Sequence, residues 1–288
     1  MNPDAVRTLA VLGAGTMGNG IAHVFARCGY RVILRDVEER FLNRALETIS
    51  KNLDREVRKG KIAEGEKPSI LSRIDAATKM EAISPADLVI EALPEQFELK
   101  REVLGKADRL LRPETILATN TSSISVTALA AATQRPDRFI GMHFMNPVPA
   151  MPLVEVIRAL QTSNATFETT MKLCEKLEKK PVAVADSPGF VSNRVLMPLI
   201  NEAAFCVMEG VAAPEAVDSV VKLGMNHPMG PLELADFIGL DVCLDIMEVL
   251  FEGFGDPKFR PCPLLRKMVA AGWLGKKSGR GFYIYAGK

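Results

Sequence analysis

Three glycines near the N-terminus have the spacing of a loop that holds a dinucleotide. Gly13, Gly15 and Gly18 follow directly after an apolar segment and precede a helical pattern. In such a loop the first glycine makes a tight turn, the second lets the backbone approach a pyrophosphate, and the third lets the helix pack on the strand. Asp36 comes 23 positions after Gly13, where a carboxylate can bind ribose hydroxyls. The motif therefore predicts an NAD site, and Arg35 leaves NADP open because it can attract a 2′-phosphate.

One carboxylate lies inside a strongly apolar segment. Glu155 is the central residue of 153–157, whose other members are Leu, Val, Val and Ile, so it needs a partner when buried. His143, at the end of the preceding predicted strand, is the nearest candidate. A His–Glu pair can exchange a proton with a substrate, because the carboxylate fixes the tautomer and stabilises the charged ring. A buried structural ion pair would give the same pattern, and His227, in a turn between two helices, is the second candidate for a catalytic histidine.

Further polar side chains come directly after predicted strands. In an open parallel sheet, ligands bind outside the carboxyl ends of the strands, so we expect these side chains to converge along one edge. They are Asp36, Glu95, Asn120, Ser122, His143 and Asn146. The neighbouring Thr121 and Ser123 are better explained as helix-cap or turn residues. Asn193 faces the apolar side of its predicted helix, where its amide either serves the site or braces two domains.

The elements that must position these residues alternate between strand and helix over the first two thirds of the chain. This alternation predicts a Rossmann-type doubly wound, mostly parallel sheet over residues 1–185, followed by an all-α C-terminal domain over 186–288. Predicted strands cover residues 9–12, 32–34, 88–92, 116–118, 139–142, 153–157 and 182–185. The first predicted helix begins after Gly15, and a last strand is predicted at 281–285. The other predicted helices cover 38–61, 95–110, 166–179, 190–209, 214–223, 231–250 and 262–271. The charged segment at about 38–66 is expected to project from the body as a solvated helix or helical hairpin.

Composition excludes several classes of protein. The chain has 288 residues, with 36 Lys and Arg against 35 Asp and Glu, so no bulk charge favours nucleic acid or an anionic membrane. No apolar run has transmembrane length, and the N-terminal segment leads into a strand rather than a signal peptide. The five cysteines form no CxxC pair, and the three histidines do not have the spacing of metal ligands, so we expect no metal site. The same cysteine pattern predicts a location in the reducing cytoplasm.

Seven segments together resemble one enzyme family, the L-3-hydroxyacyl-CoA dehydrogenases. They are GAGTMG (13–18), NTSS (120–123), GMHFMNPVP (141–149), LVEVI (153–157), SPGFVSNR (187–194), HPMGPLELAD (227–236) and KKSGRGFY (276–283). The resemblance runs in register from residue 9 to the C-terminus. It implies hydride transfer between NAD and C3 of a short-chain 3-hydroxyacyl-CoA.

The resemblance also implies roles for individual residues. His143 would be the general acid or base at the C3 oxygen, Glu155 would orient it, and Ser122 and Asn193 would lie near the reacting carbonyl and the nicotinamide. The NAD site would comprise Gly13, Gly15, Gly18, Asp36, Glu95, Lys100, Asn120, Asn146 and Lys277. Besides Ser122, the acyl-CoA would contact Asn52 and Lys59 on the charged helix, although Asn52 stands where the family has a serine.

Two other functions share parts of this pattern. A dehydrogenase of a small free hydroxy acid would have the glycine loop and a helical second domain, but not a His–Glu pair at this spacing. A non-catalytic relative, like the lens proteins that resemble this family, would have no need of the intact His143, Glu155, Ser122 and Asn193. The resemblance further implies a homodimer formed through the C-terminal helical domain, which would also close the substrate site.

Overall fold

The computed structural model describes residues 3–285 and divides into two compact units between Ser187 and Pro188. The first unit is built on one eight-stranded sheet with the strand order β3-β2-β1-β4-β5-β6-β7-β8. The strands are β1 Thr8–Leu12, β2 Arg31–Arg35, β3 Ile74–Ala77, β4 Leu88–Glu91, β5 Ile116–Thr119, β6 Phe139–Phe144, β7 Leu153–Arg158 and β8 Lys180–Ala185. The predicted doubly wound sheet is confirmed, and all seven strands predicted in this part of the chain are present.

The sheet is parallel except between β6 and β7. Residues 145–152, which join these two strands, are too few for a parallel crossover, which needs about a dozen residues. The chain therefore turns back, and β7 runs antiparallel to β6. As a result, β6 ends and β7 begins at the same edge of the sheet.

Six α-helices accompany the sheet within the described residues of the first unit. They are α1 Thr16–Arg27, α2 Glu39–Arg58, α3 Glu66–Leu71, α4 Phe97–Leu110, α5 Val126–Ala131 and α6 Asn164–Lys176. Sequence analysis missed α3, α5 and strand β3. Both helices have only six residues, and β3 offers one buried residue, Ile74, ahead of the exposed Asp75, so none has a periodic apolar pattern.

Projection of the charged segment as a helical hairpin stays a prediction, but a solvated helix is the wrong expectation for α2. Every third or fourth residue along it is buried, and the apolar members of this stripe join the core of the first unit. The stripe consists of Leu42, Ala45, Ile49, Leu53 and Glu56. Its spacing is that of one helix face, but the many charged residues between its members concealed it.

The second unit is helical within its described residues. Its helices are α7 Ser192–Met208, α8 Pro214–Gly224, α9 Pro231–Ile238, α10 Leu240–Phe254 and α11 Pro263–Ala270. The single helix predicted over 231–250 is wrong, because the chain breaks at Gly239, whose φ of +109° is incompatible with a helix.

The strand predicted at 281–285 is also wrong. Only isolated bridges form there, and buried carboxylates of the helices hold the segment instead. Asp236 accepts hydrogen bonds from the backbone N–H groups of Phe282 (3.0 Å) and Tyr283 (2.9 Å), and the Tyr283 hydroxyl donates to Asp218 (2.7 Å). The backbone donors that a strand partner would satisfy are thus satisfied by side chains.

Candidate active site

The carboxyl ends of the central strands lie in one row. Leu12 of β1 is the register partner of Arg35 in β2 and of Glu91 in β4, and Glu91 is in turn the partner of Thr119 in β5. The residues that follow these four ends are therefore neighbours along one edge of the sheet. These are Gly13, Asp36, the segment that contains Glu95, and Asn120.

The glycine loop is crowded at two of its glycines and open at the third. A Cβ at Gly13, whose φ is +105°, would lie 2.6 Å from the Ala92 carbonyl oxygen, and a Cβ at Gly18 would lie 1.8 Å from that of Gly13. A Cβ at Gly15 would meet nothing within 4 Å, and no side chain caps the helix that begins at Thr16. This open helix N-terminus fits a pyrophosphate, because the first N–H groups of a helix attract an anion.

Asp36 holds the glycine loop in place. One carboxylate oxygen accepts from the backbone N–H of Ala14 (2.6 Å) and the other from that of Val37 (2.7 Å). A carboxylate has about four acceptor positions, so two remain for ribose hydroxyls. The same negative charge disfavours a 2′-phosphate, and the residues at this edge fit NAD.

Glu95 organises the loop that follows β5. Its carboxylate accepts from the backbone N–H groups of Ser122 (2.9 Å) and Ser123 (3.0 Å) and from the hydroxyl of Thr121. Burial raises the pKa of the Glu95 carboxyl, but the Lys100 ammonium and the hydrogen bonds from Thr121 and Ser122 outweigh it, so the pKa lies below its ordinary value. Glu95 therefore remains a carboxylate at neutral pH.

Lys100 and Glu91 lie beneath this loop. Lys100 is almost fully buried, and its ammonium contacts the carboxylates of Glu91 (2.7 Å) and Glu95 (3.1 Å). Within the described structure the Lys100 ammonium contacts protein groups, and its predicted contact with NAD stays a prediction. The sequence reasoning did not identify Glu91, although a carboxylate within an apolar segment is the signal that singled out Glu155.

His143 and Glu155 lie directly opposite each other on β6 and β7. The His143 Nδ1 and a Glu155 carboxylate oxygen are 2.8 Å apart, and both side chains are buried, with 8% and 2% exposed. Directly opposed residues of antiparallel strands point to the same face, which explains the contact. Asn120 secures the end of β6, because its side-chain oxygen accepts from the backbone N–H of Phe144 (3.0 Å).

A cavity of about 480 Å³ lies between the start of α1, one side of α2 and the loop after β6. Its lining includes Gly15, Arg44, Asn52 and Asn146, which brings predicted cofactor and substrate residues to one cavity. Lys59 caps the C-terminus of α2, two turns beyond Asn52 and on the same side of the helix.

A lysine that sequence analysis missed supports the loop after β6. The Lys179 ammonium donates to the carbonyl oxygens of Val148 (2.6 Å) and Met151 (2.7 Å). Burial lowers the pKa of Lys179 from its ordinary value. Nothing in the local sequence indicates this contact, because the two carbonyls belong to a loop about 30 residues away.

Two predicted site residues belong to the second unit. Asn193 is buried in the first turn of α7, and the Lys277 ammonium lies 2.6 Å from the carboxylate of Asp241 on α10. The roles predicted for Asn193 and Lys277 remain predictions.

Two features of other protein classes are absent from residues 3–285. In that part of the chain, no group of three or more His, Cys, Asp or Glu side chains is arranged to hold a metal ion. No helix of the same described residues is long and apolar enough to cross a membrane.

A doubly wound sheet with an open glycine loop, a carboxylate after β2 and a buried His–Glu pair at one edge defines a class, the NAD-dependent oxidoreductases. Comparison with known proteins specifies the family. Residues 8–187 match the model of the 3-hydroxyacyl-CoA dehydrogenase NAD-binding domain, and residues 189–285 match that of its C-terminal domain. The chain belongs to the 3-hydroxyacyl-CoA dehydrogenase family.

Individual relatives agree over the full length. The probable 3-hydroxybutyryl-CoA dehydrogenase of Bacillus subtilis is 57% identical, over 98% of this chain and 99% of the relative. The 3-hydroxybutyryl-CoA dehydrogenase of Clostridioides difficile is 50% identical, over 96% and 99%. The crystal structure of (S)-3-hydroxybutyryl-CoA dehydrogenase from Ralstonia eutropha superposes with a TM-score of 0.96 at 50% identity, covering 98% of this chain and all of that one.

Proposed function

We propose that this enzyme interconverts a short-chain 3-hydroxyacyl-CoA and the corresponding 3-ketoacyl-CoA, with 3-hydroxybutyryl-CoA and acetoacetyl-CoA as its substrates. The observation that carries the proposal is the buried contact of 2.8 Å between His143 and Glu155 at the edge of the sheet that holds the glycine loop. The names of relatives at 50–57% identity support this substrate pair.

The two side chains divide the acid–base work. A carboxylate oxygen of Glu155 accepts a hydrogen bond from the Nδ1–H of His143, which fixes the tautomer and leaves Nε2 as the atom that faces the substrate. In oxidation, Nε2 takes the proton of the C3 hydroxyl, and the ring becomes a cation that Glu155 stabilises; in reduction, Nε2 returns the proton. NAD, when bound, would supply the acceptor for the hydride of C3. Ser122 is proposed to contact the substrate from the loop after β5, and Asn193 is proposed to assist.

The CoA moiety is proposed to run along α2. Asn52 and Arg44 line the cavity beside the glycine loop, and Lys59 lies further along the same side of the helix. Arg44 and Lys59 supply positive charge for the phosphates of CoA, whereas Asn52 supplies a neutral amide. A chain with a net charge of only +1 can thus bind a polyanion through local charges.

The proposed substrate is tested by comparing a thioester with its free acid. NADH oxidation is measured with acetoacetyl-CoA and with acetoacetate, and we expect kcat/KM to be at least about 100-fold higher for the thioester, because contacts with CoA contribute binding energy. Equal values would favour the alternative, a dehydrogenase of a small free hydroxy acid. The absence of turnover with both would contradict the proposal.

Replacing Glu155 with Gln is expected to change the pH dependence of the reaction. The amide cannot neutralise the cationic ring of His143, so the neutral ring becomes relatively more favourable. We expect kcat for reduction to fall at least tenfold, and the alkaline limb of its pH profile to move to lower pH. An unmoved profile would remove Glu155 from the proton transfer.

We also propose that the enzyme is a homodimer formed through the second unit. Several large apolar side chains of this unit are exposed in the single chain, among them Val220 (61%), Leu223 (85%) and Met225 (58%) on and after α8. Exposed apolar patches of this kind are typical of interfaces. The resemblance to the family points to a second copy of the chain as the partner.

The dimer is tested by placing a charge on this surface. We expect Leu223→Glu to convert a particle of two chains to one of a single chain in light scattering, because an unpaired charge would be buried in the contact. Leu160→Glu is the matched control, since Leu160 is a 91% exposed leucine of the first unit and should leave the mass unchanged. A wild-type monomer, or a dimeric Leu223→Glu variant, would contradict the proposal.

The cytoplasm is the compartment that we propose. All five cysteines, each of them within the described residues, are free thiols, which is typical of a reducing environment. Burial raises the pKa of Cys174 and of Cys243 to about 12, so these thiols stay protonated and unreactive.

A further inference from the structure

We propose that Glu91 and Thr119 are positioning residues, which fix the loop that carries Ser122 through a buried hydrogen-bond network. The inference rests on the proposed function, in which Ser122 contacts the substrate. Glu91 and Thr119 are register partners at the ends of β4 and β5, and both are fully buried. Neither side chain is exposed to solvent, so each acts through other residues.

Thr119 links Glu91 to the loop directly. Its hydroxyl donates to a Glu91 carboxylate oxygen (2.7 Å) and accepts from the backbone N–H of Thr121 (3.2 Å). A hydroxyl has one proton, which is directed at the carboxylate, so the oxygen lone pairs face the loop. By fixing the orientation of the Thr119 hydroxyl, Glu91 determines how that hydroxyl accepts the hydrogen bond from Thr121, the residue next to Ser122.

Lys100 provides a second link between Glu91 and the loop. The other Glu91 oxygen accepts from the Lys100 ammonium (2.7 Å) and from the backbone N–H of Leu93 (2.5 Å). Lys100 in turn contacts Glu95 (3.1 Å), whose carboxylate receives the backbone N–H groups of Ser122 and Ser123. The two links meet at Thr121, whose hydroxyl donates to Glu95 and accepts from the backbone N–H of Ile124 (2.9 Å).

The Thr119 hydroxyl donates to the carboxylate of Glu91, and the Thr121 hydroxyl donates to that of Glu95. Glu91 and Glu95 are acceptors only, so the orientation of each hydroxyl between them has one solution. In Glu91→Gln, the side-chain NH₂ group would face either the Thr119 hydroxyl or the Lys100 ammonium and the Leu93 N–H, all of which donate to Glu91 in the wild type. At least one buried donor would then lose its acceptor. Such a network holds the loop in one conformation without help from a strand ladder.

The burial of the charges also indicates a positioning role. Glu91 is 0% exposed and Lys100 is 1% exposed, whereas the Glu95 side chain is 34% exposed and lies at the edge. Buried ion pairs contribute little net stability compared with apolar packing, because the desolvation of the charges offsets their attraction. The role of this pair is therefore to specify one conformation. Here the specified segment is the loop that contains Ser122.

The test compares three threonine variants. Thr119→Val removes the hydroxyl and keeps the shape, Thr119→Ser keeps the hydroxyl, and Thr115→Val is the control. Thr115 is fully buried just before β5, at the opposite end of that strand, and its hydroxyl donates only to the Ala86 carbonyl oxygen (2.9 Å). For acetoacetyl-CoA, we expect kcat/KM to fall about tenfold or more in Thr119→Val, and to change less than about twofold in the other two variants.

The same substitutions in a Ser122→Ala background distinguish positioning from general destabilisation. If Thr119 acts through Ser122, Thr119→Val should reduce kcat/KM less than about twofold once the Ser122 hydroxyl is absent. An equal reduction in both backgrounds would overturn the proposal. So would a reduction that Thr115→Val reproduces.

Amide hydrogen exchange tests the network without reference to turnover. We expect the amides of Ser122, Ser123 and Ile124 to exchange faster in Thr119→Val and in Glu91→Gln than in wild type, and Thr119→Ser to retain the wild-type rates. Unchanged exchange in both variants would overturn the proposal. If the wild type does not turn over acetoacetyl-CoA, the proposed function fails, while the exchange rates still decide whether the network holds this loop.

Discussion

Replacing His143 with Gln is expected to lower kcat for the reduction of acetoacetyl-CoA by about 10²- to 10⁴-fold, the usual contribution of a positioned acid or base. Gln is similar in size and can still bond to Glu155, but it cannot carry a proton to the substrate oxygen. The affinity for NADH, measured by fluorescence titration, should change little, because the glycine loop and Asp36 lie after β1 and β2 rather than β6.

His227→Gln serves as the matched control for this variant. His227 lies in an exposed turn between α8 and α9 and is the second candidate for a catalytic histidine. We expect the His227→Gln variant to retain turnover within about twofold, as surface substitutions usually do. If His227→Gln lost turnover while His143→Gln kept it, the acid–base role would move to His227.

Replacing Gly18 with Ala is expected to abolish NADH binding and to lower the stability of the first unit. The added methyl would lie 1.8 Å from the Gly13 carbonyl oxygen, which is backbone and cannot move without shifting α1 away from β1. We expect the free energy of unfolding to fall by about 4 kcal/mol or more, which is a larger loss than most substitutions cause. Thermal unfolding and NADH titration of the purified variant measure the two effects.

Gly15→Ala separates cofactor binding from folding. A Cβ there meets no protein atom within 4 Å, so stability should be unchanged within about 0.5 kcal/mol. The methyl would stand where the pyrophosphate approaches, and we expect the affinity for NADH to fall about tenfold, which corresponds to ~1.4 kcal/mol. Gly65→Ala, at an equally open glycine outside the loop, should change neither property. Equal NADH affinity in Gly15→Ala and wild type would place the pyrophosphate elsewhere.

The sheet could be predicted from the sequence because its strands are buried runs of apolar residues separated by helical periods. β1 and β4 have every central residue buried, which gives a strong local pattern. β3 has one buried residue, and the break at Gly239 depends on a backbone angle that the apolar pattern on either side does not reveal. The stripe on α2 has the right spacing, but its charged neighbours dominated the pattern.

The site was predictable where a residue is out of place in its own segment. Glu155 is a carboxylate within an apolar strand, and register alone brings it to His143. Lys179 and Glu91 were missed for different reasons. Lys179 donates to carbonyl oxygens about 30 residues away, so its own segment gives no indication of the contact. Glu91, like Glu155, is a carboxylate in an apolar segment, but it stands at the end of its strand, where a polar residue is common.

The most direct test of the central claim, that His143 and Glu155 act as one unit in proton transfer, is a double-mutant cycle. It requires kcat/KM for acetoacetyl-CoA in the wild type, His143→Gln, Glu155→Gln and the double variant. If Glu155 acts through His143, we expect Glu155→Gln to cost at least about tenfold in the wild type and less than about twofold once His143 is replaced. Reductions that multiply, so that the double variant is slower than His143→Gln by the full factor of Glu155→Gln, would contradict the claim.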